Sequence, residues 1–150
     1  MRSRLLFFGM LLILLFVNGK IVWHEREIAN GQTVLLRLLP RDPRSLLQGD
    51  YMRLRYEIAD RFRPELDGGR IYLRPGPDGV AENPVDASTV GAIPLKYRLH
   101  NGQVVFDIES FFFQEGMGTR YERARYVELR VNSRGTPHIV RLRDESLEAL

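Results

Sequence analysis

The sequence predicts a mainly β domain, a β-sandwich or partly open barrel of about seven short strands with one or two short helices, preceded by a single N-terminal transmembrane helix. Three observations lead there. An uninterrupted apolar run, Leu5 to Val17, comes directly after Arg2 and Arg4. Beyond it, apolar residues recur with the period of two that a half-buried strand requires. Clusters of Gly, Pro, Asn and Asp, Asn101-Gly102 among them, punctuate those stretches as turns do. A chain of 150 residues has room for one domain, and its 44% hydrophobic and 27% charged content excludes both a disordered tail and a polytopic membrane protein.

The N-terminal segment decides where the rest of the chain resides. Leu5 to Trp23 spans 19 residues. As a helix that is about 28 Å, enough for a hydrocarbon core of about 30 Å. Lys20 can snorkel outward from the far end, and Trp23 suits the interfacial aromatic belt. The competing reading is a signal peptide cleaved near Val17-Asn18-Gly19, a site without Ala-x-Ala character. Arg2 and Arg4 hold the N-terminus in the cytoplasm, so either reading exports the remainder of the chain. The expected division is an anchor over residues 1–23 with its N-terminus inside, and an extracytoplasmic β-rich domain over 24–150.

Each element beyond the anchor has its own local signal. His24 to Asn30 continues the helix out of the bilayer and Asn30-Gly31 ends it. Thr33 to Leu39 is a strand closed by Pro40. Asp42 to Gly49 reads as one helical turn, with Asp42 at the N-cap, Pro43 at the first helical position and Gly49 past the end. Tyr51 to Ile58 alternates: Met52, Leu54, Tyr56 and Ile58 face one way, and Tyr51, Arg53, Arg55 and Glu57 the other. Residues 60–69 and 75–91 are loops around a short strand, Arg70 to Arg74. Ile93 to His100 and Gln103 to Phe113 flank Asn101-Gly102, the dipeptide of a type I′ hairpin turn. That register pairs Leu99 with Val104, Tyr97 with Phe106, Leu95 with Ile108 and, on the opposite face, Lys96 with Asp107. A short helix is expected near Thr119. Tyr126 to Val131 and Pro137 to Arg143 form a second hairpin around Asn132 to Gly135, with Val127, Leu129 and Val131 inward. The tail Asp144 to Leu150 reads as a frayed helical turn.

Charge and composition narrow the chemistry. Of 22 basic and 19 acidic residues, Arg2, Arg4 and Lys20 lie in the first 23 positions, where no acid occurs. The remainder is formally neutral, which argues against a nucleic-acid binder. Without cysteine there is no disulfide, no thiol catalysis and no thiolate zinc site. His24, His100 and His138 lack metal spacing, so no metal is expected. Neither a nucleophile elbow, a phosphate loop nor an HExxH motif is present, and no cofactor is expected.

The stretch Pro40 to Tyr56 is the densest in special residues. Turn capping and core packing account for Asp42, Gly49, Asp50, Leu54 and Tyr56. Arg44, Tyr51, Arg53 and Arg55 are left over, off the core face. An aromatic ring among guanidinium groups is a contact patch for protein or for an anionic ligand, and these four are the candidate binding residues. Asp50, Glu109 and Glu115 are candidates for a general acid and base, provided that the fold brings them within about 5–10 Å.

Gly49-Asp50-Tyr51-Met52-Arg53-Leu54-Arg55-Tyr56 matches the G-D-Y-x-x-L-x-Y pattern, and on it the chain resembles the bacterial GDYXXLXY family. Asp42-Pro43-Arg44 and Ile108-Glu109-Ser110-Phe111-Phe112-Phe113-Gln114-Glu115-Gly116 are similar to further blocks of that family. Phe111 stands where Tyr is expected and Gln114 where Pro is expected. The resemblance covers the anchor and nearly the whole outer domain. It implies a small protein of the bacterial inner membrane with its domain facing the periplasm or cell exterior, and a multi-span membrane protein as partner. It carries no assigned activity. The anchor and the run Pro43-x-x-Leu46-x-x-Gly49-Asp50 are also similar to type I signal peptidases. No Ser lies near Leu38 to Pro40, however. Ser45 falls after Pro43, and Lys96, expected opposite Asp107, has the wrong bias for a neutral base.

Overall fold

The computed structural model describes residues 2–39, 51–64 and 66–150. A long helix, α1 (Arg2–Ala29), opens the chain. It passes through the polar break at Asn18, whose side-chain amide donates to the Leu14 carbonyl at 2.8 Å, so that polar group is partly satisfied inside an apolar stretch. Phe7–Glu27 is long and apolar enough to cross a membrane, and none of that window is buried in the protein. The Asn30 N–H donates to the Arg26 carbonyl at the end of α1, the terminus that the sequence predicts.

Nine strands come after it: β1 (Gln32–Arg37), β2 (Tyr51–Arg53), β3 (Gly68–Leu73), β4 (Pro84–Val85), β5 (Ile93–His100), β6 (Gln103–Val105), β7 (Ser110–Phe112), β8 (Tyr126–Val131) and β9 (Pro137–Arg143), counted among the described residues. Two single-turn helices, α2 (Glu57–Arg61) and α3 (Gly118–Tyr121), lie between them. The strands form three antiparallel sheets, ordered β1-β8-β9, β2-β7 and β4-β3-β5-β6. They curl into an open half-barrel around one core. Val34 and Leu36 from β1, Val127, Leu129 and Val131 from β8, Ile71 and Leu73 from β3, and Leu95 from β5 meet there, all nearly or fully buried. Strand alternation makes this possible, because every second side chain of each strand points to the same side. Leu35 points the other way and has its own cover from Val80 and Tyr126.

Main-chain bonds stitch the sheets together. Leu35 donates to Gly79 and accepts from Ala81, each at 2.9 Å, and the Lys96 N–H donates to the Gly135 carbonyl at 2.8 Å. That close approach leaves a Cβ at Gly135 little room, since it would meet the Lys96 nitrogen at 3.3 Å, and φ +86° adds strain for any other residue.

The second hairpin, β8–β9, has the predicted ends and the predicted inward residues. The first hairpin departs from expectation. Asn101 and Gly102 take positive φ, 52° and 74°, as a type I′ turn requires, and Leu99 pairs with Val104. The ladder then stops at Arg98–Val105. Asp107 sits at φ +62°, and the Glu109 carboxylate accepts the Phe106 N–H at 2.6 Å, a bond that a neighbouring strand would otherwise supply. The Tyr97–Phe106 and Leu95–Ile108 pairs therefore do not form. Leu95 pairs with Ile71 of β3 on the other edge of β5, and Asp107 is held by Arg98 rather than by Lys96. The expected strand Gln103 to Phe113 is thus two strands in different sheets, and Asp107 and Glu109 share no strand face.

Two smaller expectations also change. Tyr51 to Ile58 is a strand only to Arg53, since Glu57 to Arg61 coil into α2; the alternation nonetheless buries Met52, Leu54, Tyr56 and Ile58 as expected. The tail is not a helical turn. Asp144 accepts the N–H groups of Ser146 and Glu148, Leu147 turns at φ +63°, and Ala149 bridges back to Arg143. The expected turn from Asp42 to Gly49 lies outside the described residues.

Candidate functional site

The two motif-bearing segments, more than fifty residues apart in sequence, meet in one ribbon. Tyr51 pairs with Phe112, Met52 with Phe111 and Arg53 with Ser110. Past the ribbon the contact continues: the Leu54 N–H donates to the Glu109 carbonyl at 2.7 Å, and the Tyr56 hydroxyl donates to the Ile108 carbonyl at 2.6 Å. The spacing of the motif thus acquires a physical meaning in this chain. Leu54 and Tyr56 point inward and fasten the second segment, and Tyr51 points outward on top of it.

On the inner side, Tyr56 packs edge-on against Phe106, with ring centroids 5.5 Å apart. Burial first, and the nearby Glu109 charge second, push the Tyr56 phenol well above its ordinary pKa of 10.0. Tyr56 is therefore a structural hydrogen-bond donor at neutral pH. Phe111 packs edge-on against Tyr121 of α3, which also meets Phe113. Phe111 fills an aromatic cluster, so at this position the ring is used in packing.

On the outer side the Tyr51 ring lies against Phe112 at 5.6 Å between centroids. Phe112 is 73% exposed. Arg53, also exposed, stands on the same strand. This composite surface is only half legible in the sequence: Tyr51 and Arg53 stand out there, and Phe112 does not. The alternation within Phe111-Phe112-Phe113 is the available signal, since three successive residues of a strand cannot all face one core.

Beside the ribbon, the segment Arg53 to Arg63 and the β5–β6 hairpin tip enclose a cleft of about 490 Å³. Arg53, Arg55, Asp60, Arg63, His100 and Glu109 all reach its walls, over a floor that includes Leu54, Tyr56 and Val104. Arg55 is engaged by Asp60 at 2.7 Å. Arg53 and Arg63 have no ion-pair partner among the described residues. Arg63 and His100 belong to this site, and nothing in the sequence singles them out for it.

The candidate carboxylates are less well assembled. Glu109 lines the cleft, with one carboxylate oxygen taken by the Phe106 N–H. Glu115 is exposed in a turn with Gly116, which has φ +83°, and does not line the cleft. Asp50 lies outside the described residues, as do Asp42, Pro43, Arg44 and Gly49. Among the described residues, no three His, Asp or Glu side chains are grouped to hold a metal ion.

The fold and the ribbon define a class of protein: one apolar helix, then a half-barrel in which Tyr51–Arg53, within the G-D-Y-x-x-L-x-Y motif, pairs with a distant aromatic block. The comparison with protein families agrees. The model of the family described as GDYXXLXY protein matches residues 13–142, and the chain belongs to that family. No curated protein and no solved structure matches the chain.

Proposed function

We propose that this is a single-pass protein of the bacterial inner membrane, anchored through residues 1–23 with its N-terminus inside. Its outward-facing domain, residues 24–150, binds or stabilises another envelope protein, a multi-span membrane protein. The observation that carries the reading is the outer face of the β2–β7 ribbon. An exposed Phe112 in tilted ring contact with Tyr51, beside Arg53, has the composition of a contact hot spot, where aromatic and Arg side chains dominate. The N-terminal apolar helix supports a partner in the same membrane. A photocrosslinking residue at Tyr51 in native membranes is expected to capture a discrete multi-span protein, with none from a control at Asp78. A protein that is monomeric in mild detergent and captures nothing from Tyr51 sinks the proposal.

The cleft favours a second reading, a sensor of a small organic anion. Its volume falls in the range of small-molecule sites, and Arg53 and Arg63 supply cationic side chains. Phenyl phosphate should raise the melting temperature of the protein saturably, and Arg63→Gln should abolish the rise. An equal rise in that variant rejects the site. A hydrolase or lyase using Asp50, Glu109 and Glu115 has no comparable support, given the bond that Glu109 makes to the backbone.

A further inference from the structure

The junction between α1 and the half-barrel is braced rather than tethered. Only Asn30 and Gly31 separate α1 from β1, and the β8–β9 hairpin grips the end of the helix as well. The Arg134 guanidinium lies over the Trp23 ring at 5.3 Å and pairs with Glu27 at 3.3 Å. The Arg130 guanidinium donates to the Ala29 carbonyl at 2.6 Å, satisfying one of the open carbonyls of the helix terminus. The hairpin turn is itself stiff, because the Asn132 side chain accepts the N–H groups of Arg134 and Thr136 and the Gly135 carbonyl is bonded to Lys96.

These contacts fix a height. Trp23 closes the apolar run, so in a bilayer its ring lies at the boundary between hydrocarbon and headgroups. Ala29 is six residues further on, about 9 Å along the helix axis. Arg134, against Trp23 and Glu27, therefore lies within the headgroup layer, and Arg130, against Ala29, at its outer edge. Lys20 also lies over the Trp23 ring, at 4.9 Å. Near this level the sequence carries Lys20, Arg26, Arg130 and Arg134 against Glu25 and Glu27. Cations at that depth attract phosphate oxygens of anionic lipid.

We infer that the β8–β9 hairpin tip is a membrane-surface contact, in which Arg130 and Arg134 bind the phosphates of anionic phospholipid headgroups and hold the domain upright on the bilayer. The inference rests on the anchor reading of α1. Along β9, Pro137 to Arg143 leads away from the tip by about 20 Å, so the far end of the strand stands in water.

The chain suits a direct test, having no cysteine and a single tryptophan. A nitroxide is attached to Ser133→Cys at the tip or to Ser146→Cys beyond the far end of β9, in the full chain. The protein is placed in vesicles of phosphatidylcholine, with or without phosphatidylglycerol. The Ser133 label is expected at headgroup depth, shielded from a water-soluble relaxant and drawn deeper by phosphatidylglycerol, with the Ser146 label freely accessible. Arg134→Gln and Arg130→Gln should each weaken the phosphatidylglycerol dependence, and together remove it. Equal accessibility of both labels in both vesicles overturns the inference, as does a lipid dependence unchanged in the double variant. Quenching of Trp23 by brominated acyl chains separates the two failures. A quenched Trp23 with an aqueous Ser133 label rejects the surface contact alone, and an unquenched Trp23 rejects the anchor with it.

Discussion

The two hairpins make an instructive pair. Both are announced by alternating apolar residues around a turn, yet β8–β9 pairs from end to end, with one bulge between Glu128 and Leu129, and β5–β6 over three residue pairs only. The turn chemistry is not the cause, for Asn101-Gly102 adopts the intended conformation. The difference lies further along the strand. In β8–β9 the one acid at the centre, Glu128, is matched by Arg143 at 2.7 Å and Arg141 at 3.4 Å, so ladder and charge agree. After Val105 the acids at 107 and 109 bond instead with Arg98 and the Phe106 N–H, and the strand leaves for another sheet. A side chain that can satisfy its own backbone competes with the ladder, and the competition is decided by what else the departing segment can pair with.

The largest expected effect lies at the centre of the complete hairpin. Leu129→Ala removes a fully buried side chain and should cost about 2–5 kcal/mol. Urea unfolding followed by circular dichroism, in mild detergent, measures it. A loss far below that range means that β8 is not a central strand of the core.

The next effect tests the break in the other hairpin. Glu109→Ala deprives the Phe106 N–H of its partner and should cost about 1–3 kcal/mol. Glu109→Gln keeps an acceptor oxygen and should lose clearly less by the same assay. Equal losses place the role of Glu109 in its charge rather than in that bond.

Tyr56→Phe sharpens the comparison from the partner side. It leaves the Ile108 carbonyl without its donor and should cost about 1–2 kcal/mol. It also predicts a pH dependence. The folded chain holds the Tyr56 proton above the pH at which the unfolded chain releases it, so this contribution is intact below about pH 10 and is lost as pH rises through the raised value. Melting temperatures from about pH 8 to about pH 11 should fall more steeply for the parent than for Tyr56→Phe. Parallel curves reject the assignment.

The smallest effect is expected at Asp107→Gly. Glycine takes φ +62° without strain, and the ion pair to Arg98 that is lost lies in solvent. The urea midpoint should be indistinguishable from the parent's. A marked loss assigns the break to that ion pair instead.

Much of the architecture is readable locally because it is set by local physics. A thirteen-residue apolar run behind two arginines specifies a helix, and β5, β8 and β9 begin and end where alternation meets turn residues. The inward set Met52, Leu54, Tyr56 and Ile58 is also readable, even though Ile58 is helical, because burial keeps to the pattern more closely than the backbone does. The candidate site is legible in pieces. Tyr51 and Arg53 announce themselves by standing opposite the core face. Phe112, Arg63 and His100 do not, since their relevance comes from neighbours remote in the chain.

By itself, the sequence determined an apolar helix, a mainly β domain behind it, the ends of β5, β8 and β9, and the inward faces of the strands. Period, turn chemistry and hydrophobicity act over a few residues and need no knowledge of the whole. Tertiary structure alone decided that β2 pairs with β7, that the expected long strand breaks at Phe106, and that the β8–β9 tip grips the end of α1. Each of these is a choice among partners distant in sequence, and it depends on which backbone groups remain unpaired once the local elements have formed.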